Sequence, residues 1–195
     1  MFKLIVLALI VLGLFFAVSI YNRIIALRNR YKNAFAQIDV QLQRRHDLIP
    51  DLVETAKKYM EHEKETLTQV ISARNQAVTA KRDATERPTD AHAIGILGQA
   101  ESLLSGSLAR FMAVAENYPD LKANETMSQL MEELTSTENR ISFARQAYND
   151  SVMNFNTYTE QFPNNLVAKT FGSFPLAHPL KLENPEAKQA INVSF

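Results

Sequence analysis

Residues 4–20 carry no charge, and only Gly13 and Ser19 dilute a run of Leu, Ile, Val, Phe and Ala. No other feature limits the chain so strongly. A segment of this kind is too apolar for a surface helix and too long for a strand, so it reads as a membrane-spanning helix. Its 17 residues extend roughly 26 Å at 1.5 Å each, slightly short of a hydrocarbon core of about 30 Å. Phe2 on one side and Ile24 and Ile25 on the other lengthen it, while Lys3, Tyr21 and Arg23 fall where headgroups lie. A second reading stays open: Ala17-Val18-Ser19 has the small residues of a signal-peptide cleavage site, although the n-region holds only Lys3.

Flanking charge gives an orientation. Arg23, Arg28, Arg30 and Lys32 follow the apolar run before any acidic residue, the first being Asp39. The positive-inside bias then predicts a short N-terminus outside and the remainder in the cytoplasm, with a periplasmic bundle as the alternative. The same four cations suit anionic headgroups, at about 1 kcal/mol each near the surface. Gly13 and Ala17 form a small-xxx-small pair that suits contact with a second helix in the membrane.

The helical reading does not stop at the membrane. Ile24, Leu27, Tyr31, Ala34, Ile38 and Leu42 recur at spacings of three and four, the seam of a helix packed on others. The spanning helix is therefore expected to continue as one rod to about His46 and to kink or end before Pro50. A second helix is predicted over 51–81, with Leu52, Val53, Ala56, Met60, Leu67, Val70 and Ile71 inward and a Glu54–Lys58 pair outward. Residues 82–90 hold Pro88 and read as a loop, Asp90 capping a third helix through Leu97, Ala100, Leu104, Leu108, Phe111, Val114 and Tyr118. Asn124 caps a fourth, which runs to about Gln161 through Leu130, Leu134, Ile141, Ala144, Tyr148, Phe155 and Tyr158, with Phe162 next on the stripe. Five Gly and seven Pro in 195 residues fit long elements better than a turn-rich β fold. The expected class is all-α: a transmembrane anchor (1–22), an antiparallel bundle of about four long helices (23–163) and an extended C-terminal tail (164–195).

Chemistry is hard to place on this scaffold. Without cysteine there is no disulfide, thiolate-ligated metal or thiol nucleophile. Twenty-one basic against 21 acidic residues leave no net field to draw in nucleic acid. His62-Glu63 opens a zinc-protease motif, but Thr66 stands where its second His is needed. A di-iron bundle needs Glu three residues before His, and His46, His62, His92 and His178 follow Gln43, Tyr59, Thr89 and Pro175 instead. Gly106-Ser107-Leu108 lacks the flanks of a nucleophile elbow. The expectation is no catalytic residue, no metal, no cofactor and no small-molecule substrate. Arg44 and Arg45 border the first seam as Glu138 and Arg145 border the fourth, either as solvated flanks and salt bridges or as a polar patch that fixes register or selects a partner.

Several long words in order resemble the LemA family of bacterial membrane proteins: Tyr21-Asn22, Leu27-Arg28-Asn29-Arg30, Ala36-Gln37-Ile38-Asp39-Val40-Gln41-Leu42 and Arg44-Arg45-His46-Asp47-Leu48-Ile49-Pro50-Asp51-Leu52-Val53-Glu54. They continue through Tyr118-Pro119-Asp120-Leu121-Lys122-Ala123-Asn124, Thr137-Glu138-Asn139-Arg140-Ile141, Ala144-Arg145-Gln146-Ala147-Tyr148-Asn149 and Phe162-Pro163. The resemblance implies an N-terminal transmembrane helix, an antiparallel bundle, an outward-facing N-terminus and placement in the bacterial inner membrane. It transfers no catalytic residue. The chain departs from the pattern at Phe35, where Trp is frequent, and after Gly172. The function expected is a membrane-anchored scaffold or adaptor that binds itself or another membrane-associated protein. The alternative is an accessory regulator of envelope quality control or signalling, acting on a membrane protease or kinase.

Overall fold

The computed structural model describes residues 1–181. Among them there is no strand, and the chain runs α1 (Phe2–Lys57), α2 (Lys64–Glu86), α3 (Ala91–Ala115), α4 (Pro119–Lys122), α5 (Glu125–Glu160) and α6 (Asn164–Phe171). Four of these are long, as the heptads require. Their buried stripes merge into one core that starts at Ile20 and includes Tyr31, Ile38, Ile49, Val70, Leu104, Phe111, Tyr148 and Phe155.

At 56 residues α1 is the axis of the molecule, about 84 Å from end to end. α5 lies antiparallel on it, and the register can be read from paired side chains. Arg44 meets Glu133 at 3.4 Å, the Phe35 and Tyr148 rings are 5.5 Å apart, and those of Tyr31 and Phe155 are 5.0 Å apart. Phe35 is thus a buried core residue. α2 returns along another side of α1 on an alanine seam of Ala73, Ala77, Ala80 and Ala84, small enough for close approach. α3 pairs in turn with α2.

The expected break near Pro50 does not occur: α1 passes through the proline to Lys57. A proline in a helix removes its own N–H and orphans the carbonyl four residues earlier, here that of His46. Arg74 on α2 donates its Nε to that carbonyl at 3.0 Å, so the lost bond is replaced from another element. Leu52, Val53 and Ala56 are inward as predicted but belong to α1, and α2 starts only at Lys64. Because Lys58 lies past the end of α1, Glu54 pairs with Lys57 instead, at 3.9 Å on the exposed surface. The expected loop at 82–90 shortens to a turn, since α2 reaches Glu86.

The predicted caps hold. Asp90 accepts from the His92 amide at 2.8 Å, and that hydrogen bond, with Arg87 nearby, holds its carboxyl below the usual range. Asn124 accepts from the Met127 amide at 2.9 Å. At the end of the bundle farthest from the N-terminus, Asn124 also donates to the Tyr59 hydroxyl at 3.2 Å and Tyr118 donates to Glu63 at 3.1 Å. These bonds tie the two inter-helix turns together.

Phe162 does not continue the inward stripe of α5. That helix ends at Glu160, Gln161 is extended, and Phe162, held off the helical region by Pro163, is 80% exposed. The tail is helical over α6 and extended from Gly172 to Lys181; the rest of the expected tail lies outside the described residues. Two asparagines on α5 fasten the extended part. Asn156 bonds both the N–H and the C=O of Ala177, each at 2.9 Å, and Asn149 does the same for Leu180, at 2.9 and 3.2 Å. Seven helical residues rise about 10.5 Å and three extended residues about 10 Å, so the two clamps match the pitch of the extended segment they hold. Tyr148 adds a bond to the His178 carbonyl at 2.8 Å. Farther along, the tail crosses α3 at Gly98, where a Cβ would run into the Lys181 carbonyl oxygen.

Candidate functional site

Two regions gather the residues singled out in the sequence. One is inside the bundle. Arg45 on α1 reaches Glu101 on α3 and Glu138 on α5 through ion pairs, and its guanidinium also donates to Ser105 at 3.2 Å. His46 Nε2 stands 2.9 Å from the other Glu101 oxygen. Arg45, His46 and Glu101 are each 1% exposed or less, whereas the Glu138 side chain is 48% exposed. Burial pushes the Glu101 carboxyl up, but the hydrogen bond from His46 and the charge of Arg45 prevail and hold it below its usual range. A carboxylate accepts only, so Nε2 carries the proton in this bond. His46 Nδ1 and Arg45 Nε find no partner among the described residues.

The expectation of a polar patch thus divides. Arg45 and Glu138 come together, with Glu101 and His46 as members the sequence reading missed. Arg44 instead makes a half-exposed pair with Glu133, of the kind that contributes little. Arg145, though half-buried, makes no ion pair among the described residues. A signal for Glu101 existed: it occupies the inward position of the 97-101-104-108-111 progression in α3. An acidic residue on an apolar seam needs a partner across the bundle. The cluster joins α1, α3 and α5 at one level, and its chemistry is that of a buried ionic lock. Among the described residues no group of three or more His, Asp or Glu has the arrangement to hold a metal ion.

The second region is the N-terminal end. α1 contains a stretch long and apolar enough to cross a membrane, and nearly all of that stretch lies outside the bundle core. Lys3 is exposed at its start. Beyond its other end Tyr21 is half-buried, Arg23 and Arg30 are exposed, and Arg28 and Lys32 are half-buried. Gly13 faces open space. Ala17, by contrast, is partly covered by the molecule itself: Leu14, Ala17, Val18 and Tyr21 form a groove closed by Phe171 of α6. The Phe174 ring stands edge-on to Tyr21 at 5.9 Å. The turn after α6 therefore reaches back alongside the apolar stretch, which no reading of the tail anticipated.

Comparison with known proteins follows the same outline. The family model described as the LemA family matches residues 34–195. The magnetosome protein MamQ of Magnetospirillum gryphiswaldense is 27% identical over 167 residues, covering 78% of this chain and 61% of that protein. MamQ 1 of Paramagnetospirillum magneticum is 26% identical over 163 residues, covering 76% of this chain and 60% of the relative. The chain thus spans about three fifths of the length of these curated relatives. Protein LemA of Metamycoplasma hominis is 24% identical over 171 residues, covering 87% of this chain and 74% of that one. None of these names denotes a reaction.

Proposed function

The chain belongs to the LemA family, and from that premise we propose that it is a membrane-anchored scaffold whose bundle presents a helix-binding groove at a fixed height above the bilayer. The observation that carries this reading is the continuity of α1, one helix from within the apolar stretch to the far end of the bundle. A partner held by the bundle is then held at a set distance from the membrane. The surface offered is the groove between α2 and α3. Ile96 and Leu103, one heptad apart on α3, are 41% and 58% exposed along it, with Ile71 and Ala100 in its lining. Apolar anchors at this spacing suit an amphipathic helix, supplied by a second copy or by another membrane-associated protein.

The proposal places the bundle on the cytoplasmic side of the bacterial inner membrane, supported by Arg23, Arg28, Arg30 and Lys32 beside the span. A photo-crosslinking amino acid at Leu103 of the full chain, irradiated in native membranes, is expected to give an adduct of one discrete mass. A second position, Phe143 on α5, serves as the off-groove control. Sedimentation of the intact protein as a strict monomer, together with no adduct at Leu103, would overturn the scaffold reading.

A further inference from the structure

A helix that crosses the bilayer and a domain that stands above it need touch the membrane only once. Here the chain returns to the apolar stretch of α1. Core packing on α1 starts at Ile20, and the side chains before it, Ala17 apart, are exposed. Phe171 nevertheless lines one groove with Leu14, Ala17 and Val18, and Leu14 lies about 9 Å along the helix below Ile20. The uncharged run of 17 residues, roughly 26 Å, is already shorter than a hydrocarbon core of about 30 Å. A run this short is immersed as far as Ile20, and whatever lies beside Leu14 to Val18 is immersed with it.

The side chains at this level suit immersion. Phe162 is 80%, Leu166 55% and Phe171 59% exposed, among the larger apolar side chains left uncovered outside the spanning stretch. α5 comes down α1 in its antiparallel register, with Phe155 beside Tyr31, and ends at Glu160, which brings Phe162 down to about the level of Ile24, close to the membrane face. α6 is fixed to α1 and α5 through buried Ala168 and Asn164, the latter donating to the Tyr158 carbonyl at 3.0 Å. It is therefore held in place rather than swinging free. Lys169 is exposed on the same short helix, a long side chain whose head reaches phosphates while its stem lies on apolar surface.

We propose that α6 and the turn that follows it form a second membrane contact, with Phe162 and Leu166 at the headgroup–acyl boundary and Phe171 in the hydrocarbon against the span. The occupant of this apolar face is the lipid bilayer. A depth of about 5–10 Å is usual for interfacial helices, and the groove that Phe171 lines with Leu14 falls within it. The contact fixes the rotation of the bundle about α1, because only one face of the molecule can then lie toward the membrane.

The chain has no cysteine, so single nitroxide labels at Phe171→Cys, Leu166→Cys and Phe162→Cys report depth without a background. Each full-length variant is placed in nanodiscs holding one copy, with Phe143→Cys on the exposed face of α5 as the aqueous reference, and retained helicity is checked by circular dichroism. The result expected is loss of collisions with a water-soluble nickel chelate and gain of collisions with oxygen at Phe171, a smaller change of the same sign at Leu166 and Phe162, and neither at Phe143. Accessibilities at Phe171 and Leu166 equal to that at Phe143 would overturn the proposal. So would protection seen only in discs that hold two copies, which would make the face a contact between chains.

Discussion

Glu101 shows what a single residue does in this bundle. Its carboxylate is shared by Arg45 and His46 in a place with almost no solvent. Replacing it with Gln keeps the volume and removes the charge, which leaves Arg45 with Glu138 alone. Breaking a buried pair in this way costs about 3 kcal/mol, the lower end of the usual range, because one carboxylate remains. The acid dependence has a definite sign. The folded carboxyl lies below its ordinary value of 4.5, so its contribution is fully present above that pH and is lost as pH falls through the folded value. Unfolding midpoints measured from pH 7 down to pH 3 should therefore drop for the natural chain, and Glu101→Gln should start lower and fall less steeply. An unchanged midpoint at pH 7 would show that the cluster is not holding the helices. The position was readable from its spacing along α3, but its partners were not, since they lie 55 and 56 residues away in sequence.

Among the helices, the parts legible in advance were those decided locally. Asp90 and Asn124 each cap from within three residues, and heptad spacing located the seams of α1, α3 and α5. Pro50 misled because its effect is settled by Arg74, 28 residues beyond the His46 whose carbonyl it reaches. The pair can be tested as a cycle. Arg74→Met removes a charged donor from the His46 carbonyl and should cost about 2 kcal/mol in the natural chain. With Pro50→Ala the residue at 50 regains an N–H for that carbonyl, and the same Arg74 change should cost less than about 1 kcal/mol. Equal costs in the two backgrounds, read from denaturant midpoints, would mean that Arg74 acts elsewhere. The tail was legible only as extended chain. Its seat depends on Asn149 and Asn156 presenting amide groups at a strand's pitch, a match between two elements that neither segment displays alone.

For the whole molecule, side and tilt relative to the membrane are the remaining variables. Glu86 ends α2 in an exposed position on the bundle, and Glu86→Cys introduces a single thiol. Treatment of intact cells, outer layer permeabilised, with a membrane-impermeant maleimide should leave it unlabelled until the inner membrane is lysed; labelling beforehand would place the bundle on the opposite face. Because α1 has no hinge between Ile20 and Lys57, the bundle would act, with the apolar stretch in a bilayer, as a lever whose fulcrum is the membrane surface. Its arm is about 55 Å, so each 10° or so of tilt imposed by a change in bilayer thickness displaces the far end by roughly 10 Å.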